Sequence, residues 1–296
     1  MVGCVYTIIS SVNIIDIKKE DTVKVIATYI EKGGAGKSMA VFQMAGFLAR
    51  AGKRVLVVDA DVQSNTSNTL LTNTNLMDDE DHPAVCDVLT GKIAIEDAIF
   101  NAPIETKAGQ KPKDIGIDVF PSNKRKEIKF YSGAYALKEQ LEKVADRYDF
   151  CLIDFPPERP YVGEDDTFNL VSLGLIASDV LLIPCTPDED SFSGLEILME
   201  HVSSIRNAYN PGLNVLGCFL NNYTDCDNDR YIKSFCENTL TQSGMYSGCC
   251  VRASGIAKAS RTKYRPVAWY YATSPVAEDY RKLTETACGI EIGKGE

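Results

Sequence analysis

The chain has no apolar run long enough to span a bilayer, no Cys-x-x-Cys pair and no surplus of basic residues. The first absence argues against a membrane span. The second leaves zinc ribbons and dithiol redox motifs without support: the ten cysteines show no ordered spacing, only Cys249-Cys250 are adjacent, and reduced cytosolic thiols are the simpler reading. The third bears on partners. With 31 Lys+Arg against 41 Asp+Glu the formal charge is -10, so nucleic acid or anionic lipid must be met by a local basic patch. The opening stretch MVGCVYTIISSVNIID lacks a basic n-region and contains Ser10, Ser11 and Asn13, which argues against a cleaved signal. Residues 1–22 read as an extension and 23–296 as one α/β domain, a length that can bury a full core.

What is present centres on VKVIATYIEKGGAGKS, Val23–Ser38. An apolar, β-branched strand runs into a glycine-rich turn, and Met39–Ala51 reads as the helix whose N-terminal end faces an anion. Backbone N–H groups must approach phosphates closely, so side chains at Gly33, Gly34 and Gly36 would obstruct them. Lys37 supplies a cation for β/γ oxygens and Ser38 a hydroxyl for Mg²⁺. Glu31 stands where the general P-loop has its first glycine, and a second lysine, Lys32, precedes the glycine pair.

Further apolar runs follow at RVLVVD (54–59), IGIDVF (115–120), FCLIDF (150–155), DVLLIP (179–184) and NVLGCFL (214–220). Such runs suit strands buried on both faces of a parallel sheet, and helical stretches between them complete a βαβ rhythm. The fold class is therefore α/β, a doubly wound, mostly parallel sheet flanked by helices. In such sheets ligands bind at the carboxyl ends of strands, which is where Asp59, Asp61 and Asp154 fall. Asp154 is placed to hold Mg²⁺. Asn221-Asn222 ends the last of these runs, either as adenine-contacting amides or as plain turn residues.

The KGGxGK[ST] loop, the DADVQ segment and IDFPP together resemble the ParA/MinD family of deviant Walker A ATPases, over about Val23 to Ala287 and most specifically at those three motifs. The departures are Met39, Val62 in place of the usual proline, and Phe155 in place of a small residue. The resemblance implies a P-loop NTPase fold and slow, Mg²⁺-dependent ATP hydrolysis. Residues 33–39 and Asn221 and Asn222 would hold ATP; Ser38, Asp59 and Asp154 would serve the metal. Asp61 would position the attacking water, and Lys32 would reach the nucleotide of a partner subunit. The implied partners are a second copy of the chain, nonspecific DNA and a ParB-like centromere-binding protein, in the cytoplasm at the nucleoid and without a membrane.

The charge pattern gives DNA a place to bind. No acid occurs between Glu237 and Glu278, yet Arg252, Lys258, Arg261, Lys263 and Arg265 all do. Two alternatives within reach of the same loop are a MinD-like membrane switch and a nitrogenase-reductase-like enzyme. The first needs a basic amphipathic terminal helix, which CGIEIGKGE does not offer. The second needs exposed paired thiols, for which Cys249-Cys250 is the only pair to test.

Overall fold

The computed structural model describes residues 23–126, 128–188, 191–192 and 194–293, so the extension at 1–22 lies outside the described residues. The strands are β1 (Lys24–Thr28), β2 (Val55–Asp59), β3 (Phe100–Asn101), β4 (Ile117–Phe120), β5 (Tyr131–Ser132), β6 (Phe150–Asp154), β7 (Thr167–Phe168), β8 (Val180–Cys185), β9 (Asn214–Tyr223) and β10 (Tyr246–Arg252). Eight of them form one sheet in the order β10-β9-β8-β1-β6-β2-β4-β3, while β5 and β7 pair separately. All neighbours in the large sheet are parallel except β3 and β4 at one edge.

The doubly apolar strands follow from period-2 alternation between two cores. Ala27, Leu56, Val58, Ile153 and Ile183 point into one core; Ile26, Val55, Val57, Leu152 and Leu182 point into the other. Helix α1 (Lys37–Arg50) leaves β1 and packs on the second core, while two short helices, α2 (Asn65–Leu70) and α3 (Val85–Leu89), follow β2. The first core is covered by α4 (Ala136–Glu142), α5 (Leu170–Ala177), α6 (Leu195–Ala208) and α7 (Asp227–Phe235). On the second, α1 is joined by α8 (Gly255–Thr262), α9 (Val267–Tyr270) and α10 (Pro275–Cys288).

Several boundaries differ from the sequence reading. Residues 135–148 carry Leu137, Leu141 and Val144 at the spacing of one continuous helix, yet the helix stops at Glu142 and resumes only as a 3₁₀ turn, Ala145–Arg147. Lys124–Lys126 also forms a 3₁₀ turn, and its cations answer acids upstream: Arg125 pairs with Glu80, and Lys126 with Asp87 at 3.0 Å. β9 does not end at Leu220 but continues through Asn221 and Asn222 to Tyr223.

α1 carries an interior glycine for a packing reason. A Cβ at Gly46 would lie 2.2 Å from the Cβ of Pro266, so the glycine lets the start of α9 rest on α1. Buried Gln43 fastens the same contact, donating to Ser260 Oγ at 2.8 Å and accepting from Val267 N at 2.8 Å. The basic segment is thus tied to the helix that follows the glycine-rich loop.

Candidate active site

Parallel pairing aligns the strand ends that matter. Thr28 of β1 and Asp59 of β2 are both in register with Asp154 of β6, so residues distant in sequence form one row at the carboxyl edge. The loop between β1 and α1 curls over this row. Gly34 (φ 76°) and Gly36 (φ 100°) occupy left-handed backbone that L side chains rarely adopt. At Gly33 and Gly34 a Cβ would meet no protein atom within 4 Å, because both line an open cavity of about 680 Å³. Gly36, Lys37, Ser38, Met39, Asp61 and Asn222 also line it.

Lys37 is buried and donates to the carbonyls of Ile30 and Lys32, each at 3.0 Å. Burial lowers its pKa, and the carboxylates of Asp154 and Asp61 oppose that shift. Those two acids favour the charged form of the ammonium on the cavity wall, where an anion would meet it.

The carboxylates of Asp59 and Asp154 are both held by residues just downstream of Asp59. Asp59 Oδ2 accepts from both the N–H and the hydroxyl of Ser67 at 2.7 Å, and Asp59 Oδ1 accepts from Asp61 N at 3.2 Å. Asp154 Oδ2 accepts from Thr66 Oγ1 at 2.6 Å, whereas Asp154 Oδ1 is buried with no hydrogen-bond partner. Burial raises the pKa of both groups; for Asp59 the adjacent Asp154 charge adds to it, and for Asp154 the hydroxyls of Thr66 and Ser38 work against it. A buried carboxylate oxygen without a donor costs about 1–3 kcal/mol or more. A divalent cation is the species that such an oxygen, beside the Ser38 hydroxyl, is made to face, so these residues fit Mg²⁺. Asp61 Oδ1 accepts from Gln63 N at 2.9 Å, a turn that leaves the group on the cavity wall.

The second lysine lies in cis. Lys32 Nζ pairs with Asp188 at 2.7 Å and donates to Ser191 Oγ at 3.1 Å. Burial would raise the Asp188 pKa, but the Lys32, Thr186 and Ser191 hydrogen bonds outweigh it and bring it down to about 2. Glu31 accepts from His201 Nδ1 at 2.7 Å and from Arg159 Nε at 3.1 Å, linking the loop to α6 and to the segment after β6.

The predicted asparagines both line the cavity. Asn221 Nδ2 donates to the Ala35 carbonyl at 2.8 Å, so its donor is engaged by the loop, while Asn222 sits at φ 61°. The basic stretch divides as well. Arg265 is 7% exposed, paired with Glu105 at 2.7 Å and stacked over Tyr270, which corrects its expected place in a DNA-binding face. Arg252 pairs with Asp279 at 2.5 Å. Lys258 and Arg261 line the mouth of the same cavity as the glycine-rich loop, and Lys258 and Lys263 are exposed. Cys249 is buried and bonded to Thr286 Oγ1 at 3.3 Å, so Cys249-Cys250 is not an exposed thiol pair.

Sequence reasoning missed Thr66 and Ser67, Asp188 and Ser191, and Arg159 and His201. The polar run SNTS directly after DADVQ was a local signal for the first two. The others reach the loop only through tertiary contacts.

A row of strand-end carboxylates under a glycine-rich loop with a buried lysine defines a P-loop nucleotide hydrolase. The AAA domain family model matches residues 23–215. A "ParA family protein" of Chlamydia trachomatis is 30% identical over 276 residues, covering 88% of this chain and 96% of that one. The "Chromosome-partitioning ATPase Soj" of Treponema pallidum is 30% identical over 194 residues, covering 65% and 69%. Among solved structures, an ATP complex of a Cyanothece McdA variant superposes with a TM-score of 0.72 at 18% identity, over 92% of this chain and 98% of that one. The chain belongs to the ParA/MinD family of P-loop ATPases.

Proposed function

We propose that the chain is an ATP- and Mg²⁺-dependent dimerising switch that partitions plasmid or chromosomal DNA, or positions another cargo, through nonspecific DNA binding and slow ATP hydrolysis. The observation that carries the reading is the unpartnered Asp154 Oδ1 beside Lys37, in register with Asp59 at the carboxyl edge of the sheet. Relatives whose names describe chromosome partition support the biological direction.

In this reading the N–H groups of residues 33–38 and the Lys37 ammonium bind the phosphates, Ser38 and Asp154 hold the metal, and Asp59 shapes its surroundings through Ser67. Mg²⁺ neutralises charge on the β- and γ-oxygens when bound. Asp61 orients the attacking water and takes its proton. Lys32 leaves Asp188 to meet the partner subunit's nucleotide. The pair is over a third exposed on both sides, so giving it up costs about 1 kcal/mol or less.

The DNA-facing cations are Lys258, Arg261 and Lys263 on and after α8, a segment fixed to α1 by Gln43. A dimer doubles the phosphate contacts, which ties retention to ATP. A ParB-like centromere-binding protein would be the regulating partner, at the nucleoid. Among the described residues no helix is long and apolar enough to cross a membrane.

The test is retention on a DNA column with ATP at matched salt. Arg261→Glu/Lys263→Glu should abolish retention, and Lys263→Glu alone, away from the cavity wall, should weaken it with ATP affinity unchanged. Log affinity should fall with log salt at about −0.9 per phosphate neutralised. Wild-type retention by the double variant would remove DNA as the track.

A further inference from the structure

A P-loop works by turning its N–H groups inward, which turns its carbonyls outward, and each outward carbonyl inside the protein needs a donor. Ala35 is buried at 1% exposure, and the donor to its carbonyl is Asn221 Nδ2 at 2.8 Å, from a strand 186 positions further along the chain. The amide also sits against the next residue. A Cβ built on Gly36 would be 2.0 Å from Asn221 Nδ2 and 3.2 Å from its Cγ. The backbone at φ 100° calls for glycine, and a Cβ there would also have to displace the Asn221 amide.

A local irregularity in β9 accompanies this contact. The β9–β10 register runs Val251↔Asn221 and then Arg252↔Tyr223, which leaves Asn222 as an extra residue with φ 61°. That is a β-bulge, a device that bends a strand and re-aims its side chains beside a functional site. With the bulge in place Asn221 reaches the loop, and both asparagines line the cavity.

We propose that Asn221 is a positioning residue for the phosphate loop: by holding the Ala35–Gly36 peptide it sets the direction of the N–H groups that bind phosphate, and it does not select the base. The proposal rests on the reading of the cavity as a nucleotide site. Loss of the amide takes away the side-chain donor of the Ala35 carbonyl and frees the peptide to rotate, so every ligand that uses the loop suffers alike.

The experiment is calorimetric titration of the full chain with ATP, GTP and inorganic tripolyphosphate, each with Mg²⁺, in wild type and Asn221→Ala. Asn221→Ala should weaken all three by about 10- to 100-fold, with the ATP-to-GTP ratio unchanged. A changed ratio with tripolyphosphate unaffected would make Asn221 a base reader and overturn the proposal; so would three unchanged affinities. Thermal unfolding of the variant checks that it folds. A second measurement uses the steric contact. Gly36→Ala should cost more in the wild-type background than in Asn221→Gly, and equal cost in both would also count against the clamp. Wild-type protein that binds none of the three ligands would defeat the nucleotide reading itself, a result distinct from any behaviour of the variants.

Discussion

Lys37 and Asp61 face the same cavity with different work to do, and substitution should separate them. Lys37 meets charge already present on the phosphates, so Lys37→Ala should abolish ATP binding. Asp61 acts on the water as the reaction proceeds, so Asp61→Ala should bind ATP near wild-type affinity and stop turnover. Equilibrium binding paired with phosphate release distinguishes the two outcomes. A pH dependence belongs to the same few residues. Burial raises the folded-state pKa of Asp59 and Asp154 above the unfolded carboxylate value of about 4. From there towards neutrality the folded protein holds protons that the unfolded chain has lost. Stability of the protein without nucleotide should therefore fall as pH rises through that window, and Mg²⁺-ATP affinity, which needs the carboxylates ionised, should rise. Denaturation and binding curves at about pH 5 and about pH 7.5 check both signs, and Asp59→Asn should flatten each.

At the scale of elements, the departure at Phe155 has a structural counterpart. Phe155 is fully buried, stacks edge-on to Tyr29 with ring centroids 5.6 Å apart, and fills the space that Gly174 of α5 leaves open; a Cβ there would sit 2.3 Å from its ring. Tyr29 in turn donates to the Glu158 carbonyl at 2.7 Å, so the strand before the loop grips the segment after β6. Gly174→Ala should destabilise by about 1–3 kcal/mol through overpacking. Combined with Phe155→Ala the cost should be less than additive, as urea unfolding of the four proteins in the cycle would show. Equal, additive losses would mean that the ring and the glycine do not answer each other.

For the molecule as a whole, the question is whether Lys32 changes partners. Lys32→Ala should remain monomeric with a slowly hydrolysed ATP analogue, where wild type sediments as a dimer. Asp188→Asn should favour the dimer, since it releases Lys32 from its cis pair at little cost to stability. A lysine lacks the planar fork of an arginine finger, so its contribution to rate should fall below the roughly 10³–10⁵ range of those fingers. Unchanged dimerisation and hydrolysis in Lys32→Ala would refute the role across subunits.

Six strands were legible because each is a local apolar run, whereas β10, with its mixed run YSGCCVR, and the two-residue strands were not; the loop was legible because phosphate binding imposes Gly33, Gly34, Gly36, Lys37 and Ser38 within a few positions. Asp59, Asp61 and Asp154 could be placed for the same reason, each lying at or just past the end of its own strand. Pairing between distant segments lay beyond local pattern. Arg265 reads as one more cation in an acid-free stretch until the fold brings Glu105 to it, and Asn221 reads as an adenine-contacting amide or a turn residue until β9 runs past it and a bulge turns it onto Ala35. Periodicity and motif chemistry act over a few residues and survive in the sequence alone; which charge is already neutralised, and which amide is already committed, depends on neighbours that only the closed sheet and its covering helices supply.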